Sequence, residues 1–184
     1  MPRKSKTALF VGVDPGVSGY MIGVNENGGV EERFSLSGAE RGAWEWLEYC
    51  HGAYKTFAVI EQQVPRPTRW YDKRTRTWTA SILRSTCVLY GHYRSLHAML
   101  IASAVPFEDC PPQRWQRGVR VTGRVKGEEE RSWKGRLKEH AENLFPREKV
   151  TLASADALLI AEYCRREHWG RCVVEKDLTQ TASE

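Results

Sequence analysis

Two apolar runs in this chain end on a carboxylate. ALFVGV runs into Asp14 and breaks at Pro15-Gly16, and FAVI runs into Glu61 within KTFAVIEQ. Continuous apolar runs of this length read as strands covered on both faces, so each should lie inside a layered α/β structure with its acid at the exit. An ionised carboxylate buried without compensation costs several kcal/mol, and such a residue needs a cation, a helix N-terminus or a set of donors to face. Asp14 has a second, local use, because an Asx side chain can cap the Pro-Gly turn that follows it. Its neighbourhood alone leaves turn cap and metal ligand equally open.

The rest of the chain supplies the layers. Tyr20 to Asn25 and Gly29 to Leu36 flank the turn cluster Asn25-Glu26-Asn27-Gly28-Gly29, so the chain opens as a three-stranded meander. Gly38 to His51 reads as an amphipathic helix. Thr79 to Ser103 reads as one long, largely buried helix through Ile82, Val88, Leu89, Leu96, Leu100 and Ile101. Val105 to Cys110 is a further strand, stopped by Pro111-Pro112, with a short helix over Gln113 to Val119 and a basic loop to Gly127. Glu128 to Leu144 is a charged helix ended by Phe145-Pro146, and Ser154 to Glu167 is the last helix. Between Val64 and Trp78, five basic residues, three aromatics and two prolines read as an exposed loop.

At 184 residues the expectation is one domain spanning 1–184, with its core over about 8–168 and a polar tail over about 176–184. No apolar run approaches the roughly 20 residues that span a bilayer. The basic N-terminus leads into an apolar run too short for a signal sequence, so a cytoplasmic protein is expected. Five widely spaced cysteines without a CxxC pair argue against structural zinc and a disulfide framework, leaving reduced thiols. No GxxxxGK[ST] is present, which excludes a P-loop nucleotide site. The excess of 28 Lys and Arg over 23 Asp and Glu is a modest bias toward polyanionic partners.

Asp156 is the third acid of interest. It falls in the first turn of the final helix, where the macrodipole favours an anion, so a capping role competes with a functional one. Taken with Asp14 and Glu61, it completes a set of carboxylates that one edge of an α/β layer can gather. Oxygen-only ligands of that kind suit Mg²⁺ or Mn²⁺, ions that support phosphoryl displacement.

VGVDPGVSG, AVIEQ and SADALLIAEYC resemble, in order and spacing, the three acidic motifs of the RuvC-type Holliday junction resolvases of the ribonuclease H-like superfamily. The resemblance covers Leu9 to Cys164, and the short length and PPQRWQR resemble the phage-encoded branch. It implies an α/β fold: a five-stranded mixed sheet, first three strands antiparallel, with helices on both faces. It also implies a homodimer whose two sites nick opposed strands of a four-way DNA junction with Mg²⁺ or Mn²⁺, leaving ligatable 5′-phosphate ends. Asp14, Glu61 and Asp156 take the metal-ligand positions.

A fourth ligand is usual three residues before the last Asp, on the same helix face, and here that position is Ala153. The loss leaves three alternatives: a site of three protein carboxylates, closure by another group, or a substitution carried at this position; it also motivates a second reading, a junction binder whose cleavage is weak or lost. Other branched or hybrid substrates of ribonuclease H-like nucleases are a further alternative. Lys134 resembles a family lysine that reaches the scissile phosphate, and Lys126 competes for that role. For DNA contact the resemblance and the local charge point to Arg66, Arg69, Lys73, Arg74 and Arg76 in the aromatic-basic segment, with Trp70 and Tyr71 as wedges at the crossover. Gln113, Arg114 and Arg117 could touch phosphates. The five histidines are read as surface or satisfied core groups, and Trp44, Trp46, Trp115, Trp133 and Trp169 as packing residues.

Overall fold

In a computed structural model the chain is described over residues 6–37, 40–65, 67–81 and 84–173, with side chains described except at 40, 68–70, 78–81 and 171–173. Arg66 and the tail over 176–184 lie outside the described residues.

The sheet is built around β1 (Ala8–Val13), in which every residue is buried. Its alternation divides the core: Ala8 and Phe10 face one layer, Leu9, Val11 and Val13 the other. β2 (Tyr20–Asn25) pairs antiparallel with β1, and β3 (Val30–Ser35) antiparallel with β2, completing the expected meander. β4 (Lys55–Glu61) runs parallel to β1 on its other side, after a crossover through α1 (Glu40–Ala53). A fifth strand (Phe107–Cys110), numbered β7 in chain order, pairs parallel with β4 and gives the order β3-β2-β1-β4-β7.

Helices cover both faces. The long α2 (Arg84–Ala102) and α1 pack on the side of Leu9, Val11 and Ile60. α3 (Pro112–Gly118), α4 (Glu130–Leu144) and α5 (Ala155–Val173) pack on the side of Phe10 and Val59. In α4 the stripe Trp133, Leu137 and Ala141 is buried, the four-residue spacing of one helix face. α5 is apolar nearly all round from Ala155 to Cys164 because it lies directly over the sheet. Among the described residues no helix is long and apolar enough to cross a membrane.

Several expectations are corrected. The segment 64–78 is no simple loop, since Thr68–Asp72 (β5) and Thr77–Ser81 (β6) form a two-stranded antiparallel hairpin. Its turn is held by Asp72, whose Oδ1 accepts the N–H of Arg74 at 2.8 Å, and Arg76 takes a positive φ of 56°. Residues 79–81 therefore belong to a strand, and α2 starts at Arg84. Val88 and Ile101 are exposed rather than buried, 44% and 63%. Trp44 and Trp169 are likewise partly exposed, while Trp115 and Trp133 are buried. Cys50, Cys110 and Cys164 are buried and Cys87 is exposed, and none of the four is in a disulfide.

Candidate active site

Strand pairing brings the first two acids together. β1 and β4 run parallel in the register Val13↔Ile60, so Asp14 and Glu61 leave neighbouring strands at the same level. Both follow the alternation of Phe10 and Val59, which places them on the α5 face. The third acid arrives by close helix-to-sheet contact. A Cβ on Gly12 would lie 2.2 Å from the Ala161 nitrogen and 2.3 Å from the Ala157 oxygen, so the α5 backbone rests on β1 where no side chain intervenes. Asp156, one residue before Ala157, is thereby set beside Asp14, two residues after Gly12.

The local uses foreseen for these acids resolve differently. Asp14 does cap its turn, with Oδ1 accepting the Gly16 N–H at 3.0 Å, and it lines the cavity as well. Gly19 is needed in that turn, because a Cβ there would sit 2.1 Å from the Asp14 carbonyl oxygen. Asp156 is not the helix cap. Thr151 and Ser154 cap α5 reciprocally, the Thr151 N–H donating to Ser154 Oγ at 2.9 Å and the Ser154 N–H to Thr151 Oγ1 at 3.1 Å. Asp156 is released to accept at Oδ2 an ion pair from Lys134 Nζ on α4.

An open cavity of about 750 Å³ is lined by Asp14, Glu61, Asp156 and Lys134, with Gln63, Arg131 and Ala153 at its walls. Burial, then the Asp156 charge, raises the pKa of Asp14 to about 6 against the Gly16 N–H and Lys134. Burial, then Asp14 and Asp156, raises that of Glu61 to about 7 against Trp115 and Lys134. Burial opposes the charge of Lys134 too, but Asp156, Asp14 and Glu61 outweigh it and hold the ammonium above the usual lysine range.

The donor set fits a hard divalent cation. All three acids offer oxygen, two of them resist ionisation through burial and the neighbouring carboxylates, and Oδ1 of Asp156 is buried with no hydrogen-bond partner among the described residues. Among the described residues, no three or more His, Cys, Asp or Glu side chains are drawn together tightly enough to hold an ion as they stand. Three like-charged groups around one cavity repel, and Lys134 supplies a positive charge to one of them.

Other sequence candidates lie elsewhere. Arg114 is paired with Glu108, and Arg117 and Lys126 are exposed outside the residues lining the cavity. Tyr71, Lys73, Arg74 and Arg76 are exposed on the hairpin, and Arg69 and Trp70 are described in their β5 backbone alone. Ala153 lines the cavity from the turn before α5 rather than from the helix itself. Three participants escaped the sequence reading. Arg131 precedes Lys134 by one helical turn. Gln63 donates from Nε2 to Glu61 Oε2 at 3.0 Å, and Trp115 donates from Nε1 to Glu61 Oε1 at 3.1 Å. The spacing i, i+3 could have flagged Arg131, and alternation along an extended chain could have flagged Gln63. Nothing local flags Trp115.

No family model and no curated relative matches the sequence. Among solved structures, the chain is similar to Thermus thermophilus RuvC in complex with a Holliday junction substrate, with TM-score 0.52, 9% identity, and 85% of this chain and 91% of that chain covered. A second Thermus thermophilus RuvC structure has TM-score 0.47 and 12% identity over 84% of this chain and 92% of that one. The first likeness shows the fold: the chain has a RuvC-like, ribonuclease H-like architecture.

Proposed function

We propose that this chain is a divalent-metal-dependent endonuclease that resolves four-way DNA junctions by paired nicks. The carrying observation is the convergence of Asp14, Glu61 and Asp156 with Lys134 around one open cavity at the exits of β1 and β4. The RuvC-like fold supports the same reading, the solved structure that shares it being one in complex with a Holliday junction substrate.

Asp14, Glu61 and Asp156 would hold Mg²⁺ or Mn²⁺. A bound ion of that kind supplies Lewis-acid charge at the phosphate and activates water as the nucleophile. Asp14 and Glu61 leave two paired strands at the same level, so the oxygens they would offer the ion are held by the sheet. Lys134 carries an ammonium at the same cavity, where it neutralises charge that develops on phosphate oxygens. Arg131, one turn earlier on α4, adds a second positive group at the wall. The hairpin leaves the site just beyond Gln63, and its basic turn with Trp70 and Tyr71 is the part proposed to meet the branch point, where stacking offsets unpairing. Each chain contributes one such cavity, so symmetric nicking calls for a homodimer.

The test is a labelled four-way junction with Mg²⁺ or Mn²⁺, run beside Asp14→Asn. Paired symmetric nicks by the wild type, with binding but no cutting by the variant, are expected. Cutting of hybrids or flaps in preference to junctions overturns the substrate. A second reading is favoured by Ala153 alone, a stable junction binder that no longer cuts; a shifted band without product in the same assay identifies it.

A further inference from the structure

We propose that Trp115 is a positioning residue for Glu61: its indole N–H, with the amide of Gln63, holds the carboxylate so that its remaining lone pairs face the cavity. The inference rests on the metal-site reading of Glu61. Trp115 is 1% exposed, so its indole N–H, which can only donate, is cut off from solvent and any partner it has lies inside the protein. The acceptor is Glu61 Oε1 at 3.1 Å, 54 residues away in sequence. Gln63 Nε2 reaches the other oxygen at 3.0 Å. Two donors on two oxygens define the plane of the carboxylate, and each oxygen keeps a second lone pair for an ion.

The backbone around Trp115 is built to keep that aim. Cys110, the last residue of β7, is the rung opposite Glu61, and the Gln62 N–H donates to its carbonyl at 2.9 Å. Pro111 and Pro112 then fix the start of α3 at once, and Trp115 is reached within its first turn. The side chain thus returns to the rung from which its helix departed. Packing alone does not direct an indole N–H in this protein: Trp46 Nε1 is buried with no partner among the described residues.

Trp115→Phe keeps an aromatic ring and removes the donor. Mn²⁺ affinity, read by the electron paramagnetic resonance of the free ion, should weaken by about 10- to 100-fold, the usual cost of losing a group that orients a ligand. With the junction as substrate, kcat should fall and KM should hold. Trp133→Phe, another buried indole, should lower the melting temperature comparably and leave Mn²⁺ affinity unchanged. Wild-type Mn²⁺ affinity in Trp115→Phe, or an equal loss in Trp133→Phe, overturns the proposal. Weakened Mn²⁺ binding in a protein whose wild type cuts no junction sustains the positioning role while the proposed function fails. A wild type that binds no Mn²⁺ overturns both. Should Trp115→Phe fail to fold, the indole ¹⁵N–¹H resonance that shifts on Glu61→Gln reads the bond directly, and Gln63→Leu then carries the affinity test, with an unchanged affinity counting against the proposal.

Discussion

Glu61 and Asp14 hold their protons to about pH 7 and about pH 6, because burial and neighbouring carboxylates disfavour their charged forms. In the unfolded chain both ionise in the ordinary carboxylate range, near pH 4. Between those limits the folded state binds more protons than the unfolded state, so stability falls as pH rises. Metal-free protein should therefore lose melting temperature from pH 5 to pH 8, and Glu61→Gln should flatten part of that slope. Added Mn²⁺ should remove most of it by favouring the ionised acids. Glu162, held low despite its burial by Arg165 and Arg166, loses its contribution only on further acidification and leaves this window unaffected. Ala153 belongs to the same scale. A carboxylate there would join the wall that Asp156 already lines, and Ala153→Asp should tighten Mn²⁺ binding about tenfold, ~1.4 kcal/mol, and raise the rate of cutting. An isothermal titration with no change in affinity would refute this.

At the scale of elements, the contact that assembles the site is α5 against β1. Neither the Ala161 nitrogen nor the Ala157 oxygen can swing away from a Cβ on Gly12 as a side chain would, so Gly12→Ala must displace the helix from the strand. A cost of about 3 kcal/mol or more is expected in urea denaturation. The variant that still folds should also bind Mn²⁺ more weakly, since Asp156 moves with the helix. The hairpin shows where element reading went astray. Its strands are short and carry Thr, Trp and Tyr, residues suited to a pleated surface, yet prolines and charges dominate the composition of the window. Five-residue strands joined by a basic turn leave too weak a period to outweigh that bias. Thr79 to Ser81 fit either element for the same reason, and the structure gives them to β6 with α2 starting at Arg84.

For the whole molecule, the net charge of +5 matters less than its distribution. Arg33, Arg114, Arg136, Arg165 and Arg166 are each committed to a carboxylate of the same fold, whereas Lys73, Arg74 and Arg76 stand exposed around one hairpin turn. If each of those three meets a phosphate, replacing all of them with Ala should reduce the slope of log K against log salt by about 2 to 3. Arg114→Ala should instead lower stability and leave that slope unchanged. Filter binding across a salt series separates the two.

Much of this architecture was legible in the chain. Apolar runs ending on Asp14 and Glu61 determined two buried strands with acids at their exits, because a continuous run must be covered on both faces. The turn at Asn25 to Gly29 determined the meander, and Pro111-Pro112 determined a break after the last strand. The meeting of the acids with their partners was decided by tertiary structure alone. Asp156 could have capped its own helix; Thr151 and Ser154 do so, and Lys134, 22 residues away, takes the carboxylate. Trp115 looked like core, and it is core, but its one polar atom finds Glu61 across 54 residues. Periodicity reports which face of an element is apolar. The partner of a polar atom within that face depends on how closely α5 and α3 settle on the sheet, which packing alone determines.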